Sequence, residues 1–309
     1  MQGIWPIQFA CFDAQDRLDR EAMRIQTLCA LESGAPGVAV LGLATEVDKL
    51  SLDERQALIA WLAEDLDGEL PFAVTISGVS IAEQRALAGY AIGQGARYLI
   101  LQPPSVGSLG RQTPQFYFDF FAAVMEELPA GSGGPVTVGI QNAPEYLGVG
   151  LTPDALAALA ALRPDFGFVK GEGSSMVIER TIARLGVRLP VLNGRGGLEL
   201  IENLQAGCSG MIVAPDSADA QLRVYELFRA GRLPDAHTCY ARILPEIVFV
   251  MQSLDTLVCY GKRIAAWRMG FEVEYDRAPA LRPTEFGLRM ARQHADRLGP
   301  ISAAPVAPE

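Results

Sequence analysis

Basic residues are in short supply in this chain of 309 residues: 26 Lys and Arg stand against 36 Asp and Glu, a net charge of −10. Nucleic acid and anionic membrane surfaces require positive patches to neutralise phosphate, so neither is expected as a partner. Histidine is almost missing. His237 and His294 are the only two, both in polar helical context near the C-terminal end, which excludes a multi-histidine metal cage and a histidine-based triad. The five cysteines (Cys11, Cys29, Cys208, Cys239 and Cys259) form no CxxC pair. Their odd number suits neither a disulfide framework nor a zinc site and points to a reducing compartment. No apolar run reaches the roughly 18 residues of a membrane span, and MQGIWPIQFACF lacks the basic start and long apolar centre of a signal peptide. A cytoplasmic protein acting on a small molecule is the expectation.

Lysine is scarce too, because all but three of the 26 basic residues are arginine, the exceptions being Lys49, Lys170 and Lys262. Any amine nucleophile must be one of these. Lys49 lies in the charged stretch EVDKLSLDE and reads as a solvated surface residue. Lys262 follows a glycine beside Arg263 and reads as a packing residue. Lys170 differs from both: it ends the apolar run Phe166–Val169 and is followed by Gly171-Glu172-Gly173-Ser174-Ser175. An amine attacks a carbonyl in its neutral form, which surroundings poorer in water favour. The competing reading is a buried lysine paired with Glu172 for structure alone.

Short β-rich runs alternate with amphipathic stretches to about residue 230, the pattern of repeated βα units around a parallel sheet. Eight strands are expected at Ile4–Ala10, Gly37–Gly42, Phe72–Ile76, Tyr98–Gln102, Thr137–Asn142, Phe166–Lys170, Pro190–Asn193 and Gly210–Val213. Helices are expected at Ser51–Leu66, Ile81–Gly93, Pro114–Glu127, Pro153–Ala161 and Leu198–Ala206. Ser51 with Glu54 three residues on makes a capping box, and Thr152-Pro153 sets a cap before a first-turn proline. Eight units without a compositional break favour a TIM-type (β/α)8 barrel over residues 1–230 rather than an open doubly wound sheet, with the active site at the strand C-termini. Beyond it, Asp235–Tyr260, Lys262–Met269 and Pro283–Arg297 read as a three-helix appendage over 231–300. Residues 301–309, rich in Pro and Ala, read as a disordered tail.

Five blocks, in order, resemble the dihydrodipicolinate synthase and N-acetylneuraminate lyase superfamily, over about Trp5 to Gly299. They are GLATEVDKLSLDER (42–55), IQNAPEYLGVGL (140–151), FVKGEGSS (168–175), NGRGGLELIENLQAGCSGMI (193–212) and GKRIAAWRMGFEVEYDRAPA (261–280). The resemblance implies a barrel in which Lys170 forms a Schiff base with the C2 carbonyl of a 2-keto acid. It implies that the backbone at Ala44-Thr45 and the Thr45 hydroxyl hold the carboxylate, and that Gly194 and Ile212 line the pocket. It further implies a homo-oligomer, a tetramer, with no metal or organic cofactor, since the imine itself is the electron sink.

Departures from the family pattern matter as much. Gln141 stands where the proton-shuttling tyrosine is usual, and an amide cannot exchange protons at a useful pKa. The paired threonines are replaced by Leu43 and Ala44, and the tyrosine after strand four is replaced near Ser105-Val106. Another acid/base is therefore required, and Glu172 is the first candidate. Glu199, just past Gly194-Arg195-Gly196-Gly197, is the second, although a helix N-terminal acid answering the dipole fits it as well. Gln141 would orient hydroxyls. With lysine kept and tyrosine lost, the resemblance narrows to dehydration of a 2-keto-3-deoxy sugar acid. A pyruvate-releasing retro-aldolase and a non-catalytic keto-acid binder are the alternatives.

Overall fold

The structure, a computed structural model, describes residues 1–104, 110, 112–129, 131, 134–144, 148 and 150–301. Ser105 and Val106, and the expected disorder of 302–309, lie outside them. Eight strands form one parallel sheet: β1 (Gly3–Pro6), β2 (Val38–Val40), β3 (Phe72–Ile76), β4 (Tyr98–Leu101), β5 (Thr137–Asn142), β6 (Phe166–Gly171), β7 (Val191–Asn193) and β8 (Gly210–Val213). Neighbours run in the order β1-β8-β7-β6-β5-β4-β3-β2, and a bridge between Ile7 and Ala39 brings β1 against β2. That bridge closes the barrel and removes the open-sheet alternative. The first strand is shorter than the expected Ile4–Ala10, because its apolar run continues past the ladder into the packed mouth of the barrel.

Strand alternation sorts the core into two layers. Val38, Val40, Val74, Ile76, Leu99, Leu101 and Val169 face outward against the helices, whereas Trp5, Ala39, Ala73, Ile100, Phe168, Leu192 and Ile212 fill the interior. Both faces are apolar, as parallel strands buried on two sides require. In the interior, Tyr98 meets Trp5 and Phe168 edge to face, at centroid separations of 5.3 and 6.1 Å. Gly139 leaves the room that the Phe168 ring occupies, since a Cβ there would lie 2.4 Å from it. Caps act as the sequence implies: Ser51 and Glu54 bond reciprocally at the start of the helix Leu52–Leu66, and the Thr152 hydroxyl accepts from Ala155 before Pro153–Leu162.

The C-terminal segment differs from expectation at one point. The single helix expected over Asp235–Tyr260 ends at Val250, and after Ser253 recaps the chain a new helical stretch runs to Met269 at 108° to the first. This bend folds the segment over the barrel mouth. Lys262, 1% exposed, pairs there with Glu46 of the loop after β2, and Lys49 pairs with the same carboxylate at 2.5 Å while donating to the Arg277 carbonyl at 3.0 Å. Lys49 is thus a half-buried partner rather than a solvated residue. A final helix, Glu285–Leu298, completes the layer. Among the described residues no single helix is long and apolar enough to cross a membrane.

Behind β8, Asp216 and Glu246 are both buried, and neither Glu246 oxygen has a hydrogen-bond donor among the described residues. Arg268 is occupied by Asp219, at 2.7 and 2.9 Å, and by the Asp216 carbonyl. Burial, reinforced by the Asp216 charge, pushes the Glu246 carboxyl well above its ordinary range, and burial also raises Asp216. A carboxyl raised by folding contributes stability that is complete below its unfolded pKa and is lost as pH rises towards the folded value. The loss accrues over every pH unit in which Glu246 stays protonated only in the fold. Glu246→Gln keeps a donor and removes the titration, so thermal unfolding from pH 5 to pH 8 is expected to show a flatter decline than the wild type. Parallel curves for the two proteins would show that Glu246 ionises alike in both states.

Candidate active site

Four residues meet at the C-terminal ends of β5, β6 and β7. The β5–β6 register sets Gln141 beside Lys170, following a shift at Val138/Gly139. Lys170 points into the barrel because Phe168, two residues earlier, already faces inward. Its Nζ lies 2.7 Å from Glu172 Oε1, and Gln141 Nε2 donates to that same oxygen at 2.7 Å. Lys170 and Glu172 are each 4% exposed. Gln141 Oε1 is buried without a partner, so it points to a group the protein does not itself supply.

Backbone contacts hold this cluster in place. Glu172 N–H donates to the Asn142 carbonyl at 3.2 Å, while Gly194 N–H donates to the Gly171 carbonyl at 2.8 Å. Asn193 reaches from β7 to the Gly173 carbonyl at 2.9 Å and to Asn203 at 3.0 Å, clamping the segment after Lys170. Gly194 lies flat against the pair: a Cβ there would sit 2.9 Å from Lys170 Cε and 2.9 Å from Glu172 Oε1. Gly194→Ala is accordingly expected to displace the lysine and lower turnover by about a hundredfold, the usual cost of misplacing a reacting group by an ångström. Its thermal midpoint should fall far less, and equal losses in activity and folded fraction would assign the effect to folding.

The remaining expected residues fall elsewhere. Glu199 has a left-handed backbone, φ 55°, that turns its carboxylate to the start of the helix Ser175–Leu185. There it accepts from Ser175 N–H at 3.1 Å and Ser175 Oγ at 2.9 Å, and from Arg195 at 3.3 Å. It is a helix-terminal acid, as the dipole reading had it, but for the neighbouring helix rather than its own. Thr45 is fully buried; its hydroxyl donates to the Gln8 carbonyl at 2.6 Å and its N–H to the Gly42 carbonyl at 3.0 Å. Neither donor is left for a carboxylate, because the loop uses both to hold its own turn. Ala44 and Ile212 are buried in the interior cluster. Two inward polar side chains, Thr75 on β3 and Gln102 beyond β4, were not picked out from the sequence, although a polar residue at an inward position near a strand's C-terminal end was a usable signal.

The five sequence blocks imply a lysine at the end of β6 in a barrel, and here that lysine is buried beside a carboxylate. A profile of the dihydrodipicolinate synthetase family matches residues 1–288. The chain belongs to that family. Family relatives include the L-2-keto-3-deoxyarabonate dehydratase of Azospirillum brasilense, 26% identical over 80% of this chain and 78% of its own. The N-acetylneuraminate lyase of Enterobacter sp. (strain 638) is 26% identical over 69% of this chain and 68% of its own. The dihydrodipicolinate synthase of Rhodopseudomonas palustris superposes with a TM-score of 0.85 at 22% identity, over 96% of this chain and 97% of that one, a likeness of fold. Within the family these relatives are lyases and synthases, and this chain carries a barrel of the same kind.

Proposed function

We infer that the protein is a Schiff-base hydro-lyase that converts L-2-keto-3-deoxyarabonate to 2,5-dioxopentanoate. The observation that carries this reading is the single oxygen of Glu172 held at 2.7 Å by both Lys170 and Gln141. Gln141 stands where the tyrosine relay is usual, and the carboxylate it contacts is the proton carrier in this reading. Similarity to the Azospirillum brasilense dehydratase supports the same substrate.

Lys170 attacks C2 once its proton has passed to a base, and loss of water gives the imine. Glu172 then removes a C3 proton, and the electron pair forms the enamine. The enamine expels the C4 hydroxyl as water, with a proton supplied to the leaving oxygen. Loss of a C5 proton and protonation at C3 leave an enol at C4–C5, which becomes the aldehyde. Hydrolysis of the imine consumes one water, frees Lys170 and releases the product. Gln141 Oε1, buried and unpartnered, would accept from a substrate hydroxyl. Glu199 acts on this reading only through Ser175, by fixing the segment that carries Glu172. The working form is proposed as a cytoplasmic homo-oligomer, a tetramer, using neither metal nor organic cofactor.

Incubating the purified protein with L-2-keto-3-deoxyarabonate and identifying the products tests this directly. Formation of 2,5-dioxopentanoate is the expected result. Pyruvate with a two-carbon aldehyde would instead mean retro-aldol cleavage, the second reading, which uses the same imine and is favoured by the likeness to an N-acetylneuraminate lyase.

A further inference from the structure

We propose that Thr75 and Gln102 bind the C1 carboxylate of the 2-keto acid attached to Lys170, a role for which the Thr45 hydroxyl is already committed. The proposal rests on the imine reading and adds the recognition of the acid end. Thr75 faces inward, because Val74 and Ile76 on either side of it belong to the outer layer and Ala73 to the interior. It is fully buried, and its Oγ1 has no hydrogen-bond partner. A Cβ built on Gly42 would lie 3.6 Å from that oxygen, so the hydroxyl sits directly beneath the loop that begins there.

Gln102 is 6% exposed, and its Oε1 is buried without a partner. Its backbone is fixed on both sides, by N–H donation to the Ile76 carbonyl at 2.9 Å and by Gln84 Nε2 on its own carbonyl at 2.7 Å. Leu101 pairs with Ile140, and Gln141 with Lys170, so Gln102, Gln141 and Lys170 follow one another round the barrel wall. Gln102 therefore shares the row of Gln141 and Lys170, while Thr75, whose register partner is Ile100, lies one inward position deeper on β3, by the Gly42 loop.

A carboxylate on an imine formed by Lys170 must turn towards some set of donors. Thr45 offers none. The N–H groups of Leu43 and Ala44 donate to no described residue, and the Thr75 hydroxyl and Gln102 amide can turn to add two more donors. The iminium itself supplies the compensating charge, so an arginine is not needed at this end. Buried polar groups left without partners are uncommon, and two on neighbouring strands mark a place where a ligand completes them.

The test compares pyruvate with pyruvamide, which forms the same imine but carries no charge at C1. Adducts trapped with cyanoborohydride are counted by intact-mass spectrometry over a range of ligand concentrations. Thr75→Val and Gln102→Leu should each raise the half-saturating pyruvate concentration by about tenfold, the usual scale for one hydrogen bond to a charged group, and leave pyruvamide unchanged. Thr75→Ser should restore most of the pyruvate binding. Equal weakening for both ligands, or no change for either, would overturn the carboxylate assignment while leaving the imine intact. A wild type that pyruvate never labels would remove the imine reading, and this assignment with it.

Discussion

Replacing Lys170 with arginine is expected to abolish trapping of pyruvate by cyanoborohydride and to lower turnover by on the order of 10⁴-fold or more. Arginine keeps a cation beside Glu172 but cannot form an imine, so it separates chemistry from folding. That separation matters, because both partners are 4% exposed and removal of one charge from a buried pair costs about 3–5 kcal/mol. Lys170→Ala would confound the two effects by leaving the Glu172 carboxylate with only the Gln141 amide. Lys49 and Lys262 cannot stand in, since both are bound to Glu46. Residual labelling in Lys170→Arg, mapped by peptide mass to another residue, would move the nucleophile and undo the proposed mechanism.

Glu172→Gln should have the second largest effect. A side chain that moves protons in the transition state is worth about 10² to 10⁴ in rate, and the glutamine preserves size and the hydrogen bond from Gln141 while losing basicity. Turnover is expected to fall by that amount with little change in KM. Imine formation with pyruvate should survive at a reduced rate, because attack by the amine does not need the C3 proton to be removed. Isotope exchange at C3 of bound pyruvate gives the sharper reading: it should stop in Glu172→Gln and continue in the wild type. Turnover within tenfold of wild type would assign proton transfer to another group.

The sequence was most legible where a physical constraint repeats. Strands buried on two faces must be apolar throughout, so all eight could be located, and six of the eight expected spans match the structure to within one residue at each end. Lys170 stood out because lysine is rare here and because it ends such a run; Glu172 followed from needing a proton acceptor nearby. Contacts between distant segments were far harder to read. Lys49 looked solvated from its charged neighbours, yet its carbonyl partner is Arg277, 228 residues away. Asp216 and Glu246 carry no shared motif, and only the fold makes them neighbours. Thr45 was assigned by its place in a loop motif, whereas the acceptor that takes its hydroxyl, the Gln8 carbonyl, belongs to another strand's end.

The pairing of Lys262 with Glu46 bears on when the site can exist at all. Glu46 lies in the loop that begins at Gly42, beside Thr75, and its buried cation comes from a residue 216 positions later. During synthesis the eight strands can leave the ribosome and close while Glu46 has only Lys49 of its two lysine partners. The last quarter of the chain is thus expected to set the mouth of the barrel, making competence for substrate one of the final events in the life of the nascent protein.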